Sequence, residues 1–175
     1  MSETLISVDI ECSGPIVGKH SLLQVGACIV DRPEMSFNAI VQPISDEADA
    51  EAMKIVGKPL AYFRKNGQEP RQVMQQLKTW LERDSTPVFV GFNAAFDWSF
   101  INWYFLEFIG SNPFGVAPLD IKAYYAGASG VSWADTRSSR LPDGLKPPGD
   151  HTHDALADAI EQADMFRRIR AKYHG

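Results

Sequence analysis

The chain has few cysteines, no long hydrophobic run and no excess of positive charge, and each of these absences excludes a class of protein. Its two cysteines, Cys12 and Cys28, cannot build a disulfide framework, so a cytoplasmic location is expected. No stretch approaches the roughly 18 apolar residues of a membrane-spanning helix, and the first residues lack the basic segment of a secretory signal. The net charge of −5 argues against a protein that binds a long duplex through a basic face.

What the chain does contain is the composition of a globular domain, because 45% of its 175 residues are hydrophobic and 22% are charged. A chain of this length is expected to form one domain over residues 1–175. Three strands are predicted at 5–10, 21–31 and 35–42. The turns between them are short, which favours antiparallel pairing.

Helices and further strands alternate in the second half of the chain. Apolar spacing predicts helices over 71–83 and from 153 to about 172, and an aromatic-rich helix over 98–109. Short strands are predicted at 87–90 and 118–120. This alternation, after three consecutive strands, predicts an α/β fold with a mixed β-sheet flanked by helices.

One segment, 127–150, is rich in Gly, Ser, Pro and Asp and predicts a long irregular loop. Loops of that length are commonly functional or mobile, so a mobile loop is expected here. Trp133 within it is expected to be exposed.

Two carboxylates in the first predicted strand are the first sign of chemistry. Asp9 and Glu11 lie two residues apart, so their side chains project from the same face, while Val8 and Ile10 face the core. Adjacent acids repel each other unless a cation lies between them, and carboxylates suit Mg²⁺ and Mn²⁺. The competing interpretation, an exposed alternating strand, is disfavoured by the apolar strand that follows. Cys12 fits a small packing residue better than a soft-metal ligand.

A third acid, Asp97, follows the strand predicted at 87–90. Taken alone, an acid in this place is as often a helix cap as a functional group. The functional interpretation is favoured because Gly91 and Asn93 come between the strand and the acid. Asn93 is expected to hold the loop by hydrogen bonds to the backbone.

A histidine and a fourth acid, His153 and Asp158, come at the start of the last predicted helix. On an ideal helix, residues five apart point about 140° away from each other, so the two share a site only if His153 precedes the first turn or lies within it. His151 is a rival histidine. Asp154 is a rival acid and the candidate N-cap.

Taken together and in this order, three segments resemble the motifs of the DEDDh exonuclease family, which includes polymerase proofreading subunits, RNase T and oligoribonuclease. They are Val8-Asp9-Ile10-Glu11, Asn93-Ala94-Ala95-Phe96-Asp97 and His153-Asp154-Ala155-Leu156-Ala157-Asp158-Ala159. Two further segments, Ser21-Leu22-Leu23-Gln24-Val25-Gly26-Ala27 and Pro118-Leu119-Asp120, resemble two of the family's strands.

The resemblance implies an RNase H-like fold and 3′–5′ exonuclease activity with two divalent metal ions, Mg²⁺ or Mn²⁺. It implies that His153 is the general base and that four acids hold the metals: Asp9, Glu11, Asp97 and Asp158. The metals and the base would activate a water and stabilise the leaving 3′-oxygen, releasing nucleoside monophosphates. The substrate would be the 3′ end of single-stranded DNA or RNA, and a homodimer is expected.

The substrate side departs from the family pattern at two positions. Phe92 stands where many members have His, and Cys12 stands where many have Thr, so the ligands are intact but the substrate contacts differ. Base–aromatic stacking is sequence-tolerant, and the expected substrate contacts are Cys12, Phe92, Asn93, Phe96 and Trp133. Three aromatic residues in the helix over 98–109 are expected to be core: Phe100, Trp103 and Tyr104.

Two other functions use the same residues. A catalytically silent module could recognise nucleic-acid 3′ ends, and a metal-dependent phosphatase could act on nucleoside phosphates. Metal-dependent release of mononucleotides distinguishes the exonuclease from the first, and a panel of nucleoside phosphates distinguishes it from the second.

Overall fold

A mixed five-stranded sheet forms the centre of the chain. The computed structural model describes residues 2–82, 85–146 and 153–174. In chain order the strands are β1 (Glu3–Cys12), β2 (Leu22–Ile29), β3 (Arg32–Ile40), β4 (Thr86–Gly91) and β5 (Leu119–Asp120). They lie side by side in the order β3-β2-β1-β4-β5, so that β1 is the central strand. It pairs antiparallel with β2 and parallel with β4.

Helices cover both faces of this sheet. They are α1 (Ala50–Val56), α2 (Leu60–Asn66), α3 (Pro70–Leu81), α4 (Ala95–Phe108), α5 (Ile121–Ser129) and α6 (Ala155–His174). Short 3₁₀ helices lie at Trp133–Thr136, Ser138–Arg140 and Asp143–Leu145. In the part of the chain that the structure describes, no helix is both long and apolar enough to cross a bilayer.

The alternation of side chains along β1 divides the core in two. Ile6, Val8 and Ile10 face one side and pack with residues of α3 and α4. Residues on the other side of the sheet, among them Cys28 of β2, pack with α5 and α6. Asp9 belongs to this second side, because it alternates with Val8 and Ile10. The acids of β1 therefore face the helix that carries Asp158.

The predicted order of elements is confirmed, with an antiparallel β1-β2-β3 meander followed by alternating helices and strands. Two helices were not predicted, α1 and α2. Neither shows an apolar stripe, since α1 buries no residue and α2 buries only Phe63. The signal that marks α1 is instead local. The side chain of Asp49 accepts hydrogen bonds from two N–H groups of the first turn, and Gly57, at φ 68°, ends the helix.

The prediction of an irregular loop over 127–150 is wrong at its start. Helix α5 continues through Gly127 to Ser129 and ends at the left-handed Gly130, because burial of Tyr125 outweighs the weak helix propensity of one glycine. The segment that follows contains the three 3₁₀ helices, held to the core by Leu141 and Leu145. Its mobility stays a prediction, and 147–150 lie outside the described residues.

Candidate active site

The site lies where the carboxyl ends of β1 and β4 meet. These strands are parallel, so Asp9 and Glu11 at the end of β1 lie beside the turn that leads from β4 into α4. Asp9 lies opposite Gly26 of β2 and Glu11 lies opposite Gln24. The register of β1 shifts directly after Glu11, an irregularity of the kind that often re-aims side chains next to active sites.

Gly26 lets the last helix approach this end of the sheet. A Cβ atom at this position would lie 2.2 Å from the backbone carbonyl carbon of Ala155, the first residue of α6. Such a distance is a severe clash, so the glycine is required for the close packing of α6 on β2. This packing brings the start of α6 against the acids of β1.

His153 and Asp158 both lie close to Glu11 of β1. One ligand atom from each of Glu11, His153 and Asp158 lies within 4.8 Å of the other two. The predicted condition for this arrangement is met, because His153 precedes α6 and has a left-handed backbone with φ 51°. Asp158 lies in the first turn of the helix and is 3% exposed, whereas His153 lies exposed at the rim.

Asp97 completes the group from the side of β4. It lies in the first turn of α4 and is buried, and its Oδ1 accepts a hydrogen bond from the backbone N–H of Ile10 at 3.2 Å. The helix-cap interpretation is wrong, since Ala94 holds the N-cap position. The carboxylate of Asp97 is instead anchored between Asp9 and Glu11, on the backbone of the central strand.

Negative charge is concentrated in this cluster. Burial and then neighbouring carboxylates, first among them Asp97, raise the pKa of Asp9 well above its ordinary range. Burial and the charge of Asp158 raise the pKa of Glu11 to about 7, and burial raises the pKa of Asp97 to about 7. Oxygen donors crowded in this way are the ligand set that hard divalent cations prefer. The residues present therefore fit Mg²⁺ or Mn²⁺, with the imidazole of His153 adjacent.

We expect the metal-free protein to lose stability as the pH rises from 5 to 8. An acid whose pKa is higher in the folded chain than in the unfolded chain binds protons better when folded. Its stabilising contribution is fully present below its ordinary pKa and is lost as the pH rises through about 7, the value for Glu11 and Asp97. The melting temperature should therefore fall across this range in EDTA. Mn²⁺ should remove most of this decrease in melting temperature. If the melting temperature fell equally steeply with pH in the presence of Mn²⁺, the account would be contradicted.

One of the two rivals named from the sequence, Asp154, has a defined position. Asp154 is confirmed as the N-terminal cap of α6, because its Oδ1 accepts from the N–H of Ala157 at 3.1 Å. Its Oδ2 accepts from the side chain of Gln24 at 3.0 Å. His151 lies outside the described residues.

The turn between β4 and α4 is held differently from the prediction. Asn93 takes a left-handed backbone with φ 65°, which asparagine tolerates better than most residues. Its Oδ1 accepts from the ammonium group of Lys122 at 3.5 Å rather than from the backbone. The backbone of the turn is fixed by Asp120, whose carboxylate accepts from the N–H of Ala94 at 2.7 Å.

A lysine and two aromatic rings lie beside this turn. The ammonium nitrogen of Lys122 lies 4.5 Å from the centre of the Trp133 ring and 5.9 Å from that of Phe92. Both distances permit cation–π attraction. The predicted exposure of Trp133 is confirmed, since 57% of it is exposed. Sequence reasoning missed Lys122, because a single lysine early in a helix does not by itself indicate a substrate contact.

The remaining predicted substrate contacts differ in accessibility. Phe96 is partly exposed, with its ring 5.5 Å from that of Phe100. Cys12 is buried, and burial raises the pKa of its thiol to about 11, so it is protonated at neutral pH. Phe100 and Tyr104 are confirmed as core residues, and Trp103 packs against the core while partly buried.

One buried polar residue was not predicted at all. The Nε2 of Gln162 donates to Asp9 Oδ1 at 2.5 Å, and its Oε1 accepts from the N–H of Phe92 at 2.8 Å. Gln162 lies one helical turn after Asp158, on the same face of α6. The sequence did give one indication of its role, because a glutamine lies on the inward face of the helix, next to Ala159 and Ala163.

The arginines of α6 do not form a free basic face. Arg167 and Arg168 both pair with Asp164, and Arg170 pairs with Asp31. The ion pairs therefore neutralise much of the positive charge on this part of α6.

Comparisons with known proteins agree with this geometry. A family model described as Exonuclease (RNase_T) matches residues 6–166. The 3′-5′ DNA exonuclease Cap18 of Escherichia coli is 47% identical over 171 residues, which are 95% of this chain and 91% of that protein. The nuclease domain of 3′hExo, a DEDDh family member bound to rAMP, superimposes with a TM-score of 0.78 at 15% identity, over 97% of this chain and 93% of that chain. E. coli Exonuclease I in complex with a dT13 oligonucleotide gives a TM-score of 0.75 at 17% identity, over 98% of this chain and 42% of that chain.

Proposed function

Because this chain belongs to the DEDDh family of 3′–5′ exonucleases, we propose that it removes nucleoside monophosphates from single-stranded 3′ ends by a two-metal mechanism. The observation that carries the proposal is the approach of Glu11, His153 and Asp158, whose ligand atoms lie within 4.8 Å of one another. Asp9 and Asp97 adjoin this group, and each adds its charge to it.

The metals of the family are divalent, and in this chain four acids would hold them: Asp9, Glu11, Asp97 and Asp158. Bound divalent ions supply the positive charge that stabilises both the attacking and the leaving oxygen of an in-line displacement. Their charge would also keep the carboxylates ionised at neutral pH, where burial and then mutual repulsion otherwise favour protonation.

His153 would accept a proton from the attacking water. Its exposed position at the rim leaves the imidazole open to solvent and to a substrate phosphate, while its left-handed backbone aims it at Glu11 and Asp158. An imidazole serves as a general base near neutral pH. Asp154, which caps α6 directly after His153, would hold the chain in this orientation.

The proposed substrate is DNA, on the strength of the 47% identity to a DNA exonuclease over nearly the whole chain. A single strand suits the site because the arginines of α6 are paired with acids rather than free to track a duplex. Base stacking and metal binding would then supply most of the affinity for the strand. The expected homodimer and the cytoplasmic location stay predictions.

Trp133, with Lys122 beneath it, would stack a base of the bound strand while the ammonium group faces a phosphate. The other proposed substrate contacts are Cys12, Phe92, Asn93 and Phe96. Cys12 is buried, so it would act by shaping the site rather than by touching a base.

We expect Trp133→Ala to raise KM for a single-stranded oligonucleotide about 5- to 150-fold, from about 1–3 kcal/mol per stacked base, with kcat little changed. Trp133→Phe keeps an aromatic face, so it should raise KM less than Trp133→Ala does. Val116→Ala is a matched control, because Val116 is 89% exposed but lies in the loop after α4. An unchanged KM for Trp133→Ala would remove this residue from the substrate contacts.

The products distinguish the proposed function from the alternatives. Mass spectrometry of a reaction with an oligonucleotide and Mn²⁺ should identify nucleoside 5′-monophosphates, since the 3′-oxygen is the leaving group. Release of inorganic phosphate from free nucleotides would instead indicate the phosphatase. Binding of 3′ ends without any release would indicate the silent module.

A further inference from the structure

We propose that Gln162 is a positioning residue that sets the orientation of the Asp9 carboxylate for binding a divalent cation. This inference rests on the proposed function, because it assigns Asp9 a metal to bind. Gln162 contacts Asp9 and is not itself among the proposed metal ligands.

The orientation of the amide is fixed by its partners. The backbone N–H of Phe92 can only donate, so the atom that faces it at 2.8 Å must be the oxygen of Gln162. The amide nitrogen must then face Asp9, whose Oδ1 lies 2.5 Å away. Gln162 is 6% exposed, so water does not compete freely for these bonds. The amide therefore always presents a donor to Asp9.

A donor in this place restrains the rotation of the Asp9 carboxylate, because the amide that donates to it is itself fixed by Phe92. A carboxylate offers about four lone-pair sites, and Gln162 occupies one of those on Oδ1. The other oxygen and the remaining lone pairs stay available to a cation. Outer partners of this kind orient metal ligands in many metalloproteins.

The same side chain joins the three segments that carry the acids. Gln162 lies on α6 one turn after Asp158, and it bonds both to β1 through Asp9 and to the end of β4 through Phe92. Phe92 lies five residues before Asp97 in the chain. Gln162 therefore links the ends of β1 and β4 just beyond their last paired residues, Ser7 and Val90.

A small cavity beside this bond decides which substitution tests it. The cavity, about 160 Å³ in volume, is lined by Asp9, Phe92, Gln162 and Met165 among others. A short replacement such as alanine would admit water, and the water could restore the hydrogen bond. Gln162→Met keeps the length of the side chain and removes both hydrogen bonds. Gln162→Glu keeps an acceptor for Phe92 and replaces the donor to Asp9 by a carboxylate oxygen, which repels the Asp9 carboxylate.

The test is the affinity for Mn²⁺ of the substrate-free protein, measured by calorimetry, together with the melting temperature in EDTA. We expect Gln162→Met and Gln162→Glu to bind Mn²⁺ about 10- to 100-fold more weakly, as loss of an outer partner does in other metal sites. Their nuclease activity should recover in part at higher Mn²⁺ concentration. A merely structural role would lower the melting temperature in EDTA and leave the affinity unchanged.

Gln24→Met is the matched control. Gln24 is also buried and also donates to a carboxylate, that of Asp154, which is not among the proposed ligands. Its Mn²⁺ affinity should stay within about threefold of wild type, well inside the effect expected for an outer partner. Equal affinity in wild type and both Gln162 variants would overturn this inference alone. Failure of the wild type to bind Mn²⁺ would overturn the proposed function as well.

Discussion

Asp97→Asn is expected to abolish most nucleotide release while leaving the protein folded. The charge stabilisation supplied by a metal is worth several kcal/mol, and about 1.4 kcal/mol corresponds to a tenfold change in rate, so kcat should fall roughly 10³-fold. Asparagine keeps the oxygen that accepts the backbone N–H of Ile10. The anchor on the central strand therefore remains while the negative charge is lost.

The stability of Asp97→Asn distinguishes a metal-binding role of Asp97 from a purely structural one. Without metal, the charge of Asp97 adds to the burial that raises the pKa of Asp9 and of Glu11. Removing its charge relieves this repulsion, so the melting temperature in EDTA at pH 8 should stay the same or rise. Mn²⁺ should stabilise the variant less than it stabilises wild type. Full activity in the variant, or a large loss of stability in EDTA, would contradict the role proposed for Asp97.

His153→Ala is expected to lower kcat by about 10²- to 10⁴-fold, the usual contribution of a general base. Its Mn²⁺ affinity should change less than that of Asp97→Asn, because the proposed role of His153 is proton transfer rather than metal binding. His153 is exposed at the rim, so its truncation should leave the melting temperature nearly unchanged. Steady-state kinetics at pH 7 and pH 9 measure the effect.

His151→Ala is the matched control for this assignment. The two histidines lie two residues apart, and the structure places His153 within reach of Glu11 and Asp158. His151→Ala should therefore retain most of the wild-type kcat. If His153→Ala kept full activity and His151→Ala lost it, the assignment of the base would be wrong.

The acids of the site could be predicted because their positions follow from short-range rules. Asp9 and Glu11 alternate with core residues along a strand, and this alternation alone puts them on one face. Asp97 and Asp158 each lie in the first turn of a helix. The convergence of these segments followed from the family resemblance, since no local rule joins residues so distant in the chain.

The parts that escaped prediction depend on tertiary contacts. Gln162 bonds to Asp9 across 153 residues, and nothing in its local sequence indicates that partner. The role of Gly26 is visible only once Ala155 is seen packed against it. Helix α1 buries no side chain, so the apolar period that reveals the longer helices is missing there.

The most direct test of the central claim is a time course on 5′-labelled single-stranded DNA and RNA oligonucleotides with Mg²⁺, with Mn²⁺ and with EDTA. The account predicts a ladder that shortens from the 3′ end with either metal, faster on DNA than on RNA, and no cleavage in EDTA. Asp97→Asn run in parallel should leave the label at full length. Cleavage that persists in EDTA, or a folded wild-type protein that leaves every substrate intact with both metals, would contradict it.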